Sequence, residues 1–268
     1  MIAKLHIQTT IRAGVTILKN VYCTTPLKVA NITEDKKAKE LQLMLMSSSP
    51  GILDGDRYQV KIELEQGSHL QLHTQSYQRL FNMKQGASQV FNIHLAAGCS
   101  FVYLPHPTVP HTASSFAATN KIYLSDNCRL VFGEILTCGR KHNGEVFLFS
   151  TYHNLTEIFL NDQIILKENL LVQPAESDTN AIGQMEGFTH QATLVYLQAQ
   201  ATPNSLNHHI HQLLEPEKGI IFGISETPEA GLLVKILGQG AEQLHDCLKK
   251  ITSLLNAIDT LKPTLYAE

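Results

Sequence analysis

The chain has 268 residues, 43% of them apolar, so it can bury one large core, and the expectation is one domain over 1–268. A net charge of −3 leaves no basic excess for nucleic acid or an anionic membrane to select, which excludes those partners from the reading. The start, Met1-Ile2-Ala3-Lys4-Leu5-His6, lacks the apolar core of a signal peptide, and no apolar run approaches the about 18 residues of a membrane span, so a cytoplasmic location is expected.

In chain order, Asn31 to Glu40, carrying Glu34-Asp35-Lys36-Lys37, reads as a solvated hairpin tip. Ser49-Pro50-Gly51-Ile52-Leu53-Asp54-Gly55-Asp56-Arg57-Tyr58 is an acidic, glycine-bent turn. It opens onto 57–65, where Tyr58, Val60, Ile62 and Leu64 alternate with polar residues as a half-buried strand does. The same alternation runs through Leu70 and Leu72, through Phe91, Ile93 and Leu95, and over 129–135, 145–152 and 157–172. At least nine strands are expected before residue 173. Asn143-Gly144 signals a type I′ hairpin that would set Gly139-Arg140 against Glu145 as an ion pair.

A repeat of about 30 residues underlies the alternation. Ile62-x-Leu64-x-x-Gly67-Ser68-x-Leu70-x-Leu72 matches Ile93-x-Leu95-x-x-Gly98-Cys99-x-Phe101-x-Tyr103 and Ile122-x-Leu124-x-x-Asn127-Cys128-x-Leu130-x-Phe132. A glycine or asparagine at one place in each unit fits a turn that needs positive φ. Units of this kind bury together faces that none can bury alone. The expectation is a mainly β body over 1–200 of stacked layers, coiled as a short solenoid or flattened into two sheets. An immunoglobulin-type sandwich shares the alternation, which does not separate the two.

The remainder, 201–268, is a mixed segment. Pro203 to Glu217 is a short helix or a loop. Past Gly240, Leu244, Leu248, Ile251, Leu254, Leu255, Ile258 and Leu261 recur at helical spacing until Pro263, an amphipathic helix of about 20 residues. Its apolar stripe either caps the sheet or docks onto a partner.

No G-x-S-x-G elbow, phosphate loop or H-E-x-x-H helix is present. Cys23, Cys99, Cys128, Cys138 and Cys247 form no C-x-x-C pair and are odd in number, so buried reduced thiols are expected rather than disulfides or zinc ligands. The polar groups on strand and turn positions are Asp54, Asp56, His73, Glu134 and Glu145, which could hold a borderline divalent ion if the fold gathers them. His208-His209-x-His211 supplies two ligands on one face at most. His106 and His111 lie in the proline-stiffened Leu104-Pro105-His106-Pro107-Thr108-Val109-Pro110-His111. With a carboxylate they would be the ligands of the alternative reading, a small metal-dependent hydrolase on a β scaffold. A β-rich adaptor without metal traffic is the other alternative.

Four of these segments carry a resemblance to the urease accessory proteins of the UreD/UreH family. Ser49–Arg57 resembles the family's G-G-D-R segment, and Thr74-Gln75-Ser76-Tyr77-Gln78-Arg79-Leu80-Phe81 its T-Q-x-x-x-K-x-Y stretch. Leu104-Pro105 and Gly139-Arg140-x-x-x-Gly144-Glu145-x-Phe147 are similar to its L-P and G-R-x-x-x-G-E-x-F signatures, in the same order. Two departures stand out: Asp54 replaces a glycine, adding a carboxylate beside Asp56, and Asn82 replaces a second basic residue.

The resemblance implies a right-handed β-helical body with a few helices, no enzymatic activity and no tightly bound cofactor. It implies a nickel metallochaperone scaffold that binds UreF directly, reaches the GTPase UreG through it, serves apo-urease, and forms a dimer of heterodimers with UreF. A tunnel through the body is the family's proposed nickel path. Asp56 takes a transit role as the motif aspartate, followed by Glu145, with Asp54 beside it and His73 and Glu134 added from strand position. Gly55, Arg57, Gly139, Arg140 and Gly144 are structural residues of the motifs.

Overall fold

The computed structural model describes residues 1–198, 203–229 and 231–261. Its organising feature is that the three repeat units lie directly on top of one another. β5 (Arg57–Leu64), β8 (Ala87–Leu95) and β11 (Ser115–Leu124) pair in parallel so that Ile62, Ile93 and Ile122 form one row and Leu64, Leu95 and Leu124 the next. β6 (His69–Thr74), β9 (Ser100–Tyr103) and β12 (Arg129–Thr137) do the same opposite them, aligning Leu70, Phe101 and Leu130. The chain thus passes from one sheet to the other and back in each unit. Gly67, Gly98 and Asn127 make the crossing turns at φ of +72°, +71° and +56°, as the repeat position requires.

Further strands widen both sheets. To the first are added β1 (Ile2–Arg12), β2 (Val15–Cys23), β13 (Thr151–Leu160) and β14 (Gln163–Val172), in the order β14-β13-β11-β8-β5-β1-β2. To the second are added β3 (Leu27–Asn31), β4 (Glu40–Ser47), β15 (His190–Gln198), β16 (Ile221–Thr227) and β17 (Gly231–Gly238), in the order β16-β17-β15-β12-β9-β6-β4-β3. The short β7 (Gln78–Leu80) and β10 (Thr108–Pro110) pair with each other, and β10 with the end of the interior strand β12. Both sheets are parallel at the centre and antiparallel at the margins, and neither closes on itself.

Alternation along each strand sends one set of side chains into the space between the sheets, where Ile7, Ile62, Ile93, Ile122 and Ile158 meet Leu70, Leu72, Phe101, Leu130 and Phe132. The outer face of the second sheet carries a second core. α1 (Pro203–Leu214) and α2 (Ala241–Leu261) cover it with Leu206, Ile210, Leu244, Leu248, Ile251 and Leu255 against Val131, Leu194, Tyr196 and Val234. The apolar stripe of α2 is therefore spent on this chain's own sheet. Pro203 starts a helix, as one of the two expected alternatives had it, whereas Pro263 lies outside the described residues. Among the described residues no helix is long and apolar enough to cross a membrane.

Several boundaries differ from the expectations. Residues 145–150 are not strand; the chain there crosses between sheets, and β13 begins at Thr151. The run 157–172 is two strands, joined at Asn161-Asp162, whose φ values of +48° and +64° make the type I′ turn. Asn143-Gly144 does not make one: Lys141–Asn143 form a single 3-10 turn ended by Gly144 at φ +79°, and the strands on either side belong to different sheets. β15 and β17 escaped the sequence reading because covering both faces turns alternation into near-continuous apolar runs, as in Ala192–Leu197. The charged stretch after Asn31 is the tip of the β3–β4 hairpin, as expected.

Candidate functional site

The four motif segments stack at one corner of the body. Ile52 bridges Leu80 in parallel, Gln78, Arg79 and Leu80 pair with Thr108, Val109 and Pro110, and Thr108 pairs with Leu136. Ile52 N–H donates to Arg79 O at 2.8 Å and His111 N–H to Leu80 O at 2.8 Å, so each corner rests on the one before it. Close approach explains the glycines: a Cβ on Gly51 would lie 2.4 Å from Arg79 O, and one on Gly139 2.9 Å from Pro110 O.

Along this corner alternate residues face opposite ways. Gln78 and Leu80 point to the core side, where Gln78 Nε2 donates to Gln89 Oε1 at 2.8 Å. Tyr77, Arg79, Phe81, Val109 and His111 wall an outer cleft of about 670 Å³ that is completed by Arg140, Lys141, His190 and the start of α2.

The acidic groups of the motifs are engaged locally. Asp56 is buried, accepts from Leu53 N–H at 2.9 Å and lies 3.1 Å from the Met1 amino group. Asp54 is exposed and accepts from the amides of Gln85 and Gly86 at 2.8 and 3.1 Å, and the Gln85 bond leads in holding its carboxyl below the usual range. Gly55, at φ +74°, donates to Gly86 O at 2.9 Å, and Arg57 N–H donates to Met1 O at 2.8 Å. The loop between Ser49 and Arg57 is thereby tied to the next unit.

Arg140 Nε donates to Glu145 Oε2 at 2.9 Å and a second guanidinium nitrogen reaches Oε1, the ion pair expected from the spacing. This forked contact, ahead of all other influences, pulls the Glu145 carboxyl down to about 2. Thr112 N–H donates to Glu145 Oε2 at 3.3 Å.

Glu134 has a different setting. It projects from β12 between the sheets, where Asn120 Nδ2 donates to Oε1 at 2.9 Å and Thr156 Oγ1 to Oε2 at 3.3 Å. Asn154 accepts from Asn120 at 3.1 Å, and Asn120, Asn154 and Thr156 are themselves buried. Burial outweighs these hydrogen bonds and lifts the Glu134 carboxyl to about 7. Beside it lies a cavity of about 10 Å³, lined also by Tyr152, Glu168, Gln191 and Thr193. A space of that size admits about one water molecule.

His73 stands on the outer face of the second sheet at the end of β6, its Nε2 buried and without a hydrogen-bond partner. Burial, then the neighbouring His106, lowers its basicity. His106 Nδ1 lies 3.0 Å from Thr74 Oγ1, and its ring is 4.9 Å from that of the buried His245 on α2, which burial depresses to about 4. His111 packs on Phe81 on the cleft side, 4.8 Å ring to ring. His106 and His111 thus keep separate neighbours, His106 beside Thr74 and His245 and His111 against Phe81.

Asp54, Asp56, His73, Glu134 and Glu145 do not share one cavity: they lie on a loop, on an outer sheet face, between the sheets and at the cleft rim. Among the described residues no group of three His, Cys, Asp or Glu side chains is placed to hold a metal ion. His208, His209 and His211 lie exposed on α1, with the His211 ring 5.2 Å from Phe222. What sequence reasoning missed is the partner set of Glu134: Asn120, Asn154 and Thr156 look like ordinary strand residues until adjacent units are stacked.

Comparison with known proteins places this arrangement. The model of the UreD urease accessory protein family matches residues 1–266. Urease accessory protein UreD of Flavobacterium johnsoniae is 49% identical over 252 residues, 94% of this chain and 91% of that protein. The UreD proteins of Acetivibrio thermocellus and Haemophilus influenzae are each 33% identical, over 94% and 96% of this chain and 97% and 100% of their own lengths.

Proposed function

The chain belongs to the UreD family of urease accessory proteins, and on that premise we propose that it is a cytoplasmic, non-enzymatic scaffold of urease maturation through which nickel travels to apo-urease. It binds UreF directly and UreG through UreF, as a dimer of UreF-bound heterodimers. The body, with its chain alternating between two parallel-centred sheets, is read as a short β-helix. Its right hand is the one nearly all parallel crossovers take.

The observation that carries the nickel reading is the connected strip of polar side chains inside a largely apolar core. Asn120, Asn154, Thr156 and Glu134 occupy positions where the stacking rule asks only for apolar groups. The hydrogen bonds among these groups offset only part of their desolvation, since burial still lifts the Glu134 carboxyl, and an apolar set would fill the same positions without that cost. A cation in passage gives such a strip a use, because oxygen donors that already bond one another hold it loosely and release it. Glu134 is the transit group at the centre, and Asp56, Asp54, Glu145 and His73 are way stations nearer the surface.

Co-expression with UreF, UreG and apo-urease tests this. Glu134→Gln and Asp56→Asn, which keep the side-chain shape and most hydrogen bonds, are expected to lower the nickel content of urease while UreF still co-purifies. Nickel content equal to wild type in both variants counts against transit. Loss of UreF would instead assign these residues to docking.

A further inference from the structure

The outer cleft at the motif corner has a use that nickel transit does not call on. Its charge is unbalanced. Of the three cations on its wall, Arg140 is neutralised by Glu145, whereas Arg79 and Lys141 meet no carboxylate among the described residues. Lys141 Nζ donates to Thr189 Oγ1, Gln239 O and Gln239 Oε1, all at 3.1 Å, which fixes its charge in place and leaves it no proton to offer. The Arg79 guanidinium is exposed and makes no hydrogen bond to a described residue, so its donors are free. Glu242 is the one carboxylate on the wall without a cation, and the Tyr77 hydroxyl donates to it.

Two more donor sets face the same space. Gly240 precedes and Ala241 and Glu242 begin the 21-residue α2, whose first amides have no partner within the helix and whose dipole end is positive. His111, only 6% exposed, lines the cleft with Nε2 buried and unpartnered. A buried ring nitrogen without a partner is costly, and either a cation or an anion could supply one. The field decides between them. After burial, Arg140 lowers the basicity of His111, its partner Glu145 opposes that, and Arg79 adds to it, while Lys141 lowers His190 after burial. With Arg140 balanced by Glu145, it is the Arg79 and Lys141 charges, which meet no carboxylate among the described residues, that favour an anion.

We propose that this cleft is an oxyanion site, which takes a free anion of the phosphate or carboxylate class between the Arg79 guanidinium, His111 Nε2 and the first-turn amides of α2. Arg79 supplies the directional fork, the helix end the amide donors, and Lys141 a fixed background charge. The assignment does not depend on nickel passing through the body.

The test uses the full chain in a buffer free of oxyanions, titrated calorimetrically with inorganic phosphate and separately with malonate, against chloride at matched ionic strength. Saturable binding of one or both is expected, and the tighter arm names the class. Arg79→Gln should weaken it by about tenfold or more, since a charge-assisted hydrogen bond is lost. Arg57→Gln removes the same charge from an exposed position outside the cleft and should leave binding unchanged. The Arg79 side chain is exposed and makes no hydrogen bond or ion pair with a described residue, so its variant keeps the fold, which an unaltered Tm without added anion would verify. The proposal is overturned if neither anion binds beyond the chloride control, or if the two arginine variants weaken binding equally.

Discussion

Asn120 Nδ2 lies 2.9 Å from Glu134 Oε1 and so ties the two sheets together through their shared interior. The same amide nitrogen meets Asn154 Oδ1 at 3.1 Å and Thr156 Oγ1 at 2.9 Å. One side chain thus joins three strands across the stack, and the carboxyl it bonds is raised well above its ordinary value by burial.

One part of the pH dependence of stability follows from that carboxyl. The folded chain holds the Glu134 proton up to about pH 7, against an ordinary value of 4.5, and therefore binds it more tightly than the unfolded chain does. The Glu134 contribution to stability is expected to be full below the ordinary value and to be lost as pH rises from there to about 7, by at most about 3 kcal/mol. His245 and His190, both depressed to about 4 by burial, act in the opposite sense up to their ordinary value of 6.5. Glu134→Gln should remove the negative Glu134 contribution from the slope and raise the denaturation midpoint at pH 8. Urea titrations of both proteins at pH 5 and pH 8 measure it, and an unchanged slope in the variant would remove Glu134 as its source.

Gly51→Ala should damage the corner. The added Cβ would sit 2.4 Å from Arg79 O and 2.9 Å from Arg79 Cβ, so the Ile52–Leu80 bridge must shift. Overpacking of this kind costs about 1–3 kcal/mol. Gly14→Ala is the matched control: nothing lies within 4 Å of its Cβ position, and only the φ of +77° opposes it. Thermal melts should show the larger drop for Gly51→Ala.

Removing the last helix should destabilise the body. Ile251 is fully buried against the outer face of the second sheet. Ile251→Ala is expected to cost about 2–5 kcal/mol. A chain ended after Gly240 exposes the whole apolar face that α2 covers and should aggregate. Such a truncation therefore cannot map UreF docking. Charge changes at the exposed Glu242, Asp246 and Lys249, read by co-purification, can. If the truncated chain instead melts cooperatively at the full-length temperature, the helix contributes nothing to the core.

Local pattern was enough to establish the repeat. Because side chains alternate with period two and each unit returns after about 30 residues, the rows Ile62–Ile93–Ile122 and Leu70–Phe101–Leu130 were legible in the sequence. So were the positive-φ turn position, the charged hairpin tip, the Arg140–Glu145 pair and the spacing of α2. Tertiary structure alone decided the rest. It put the α2 stripe on the second sheet, buried both faces of β15 and β17 so that their alternation vanished, and moved the type I′ turn from Asn143-Gly144 to Asn161-Asp162. It also dispersed the five acidic and histidine positions and joined Glu134 to Asn120, Asn154 and Thr156. The physical reason is one of range: alternation and turn chemistry act over a few residues, whereas a buried carboxyl takes its proton affinity from neighbours 14 to 22 residues away that only stacking brings near.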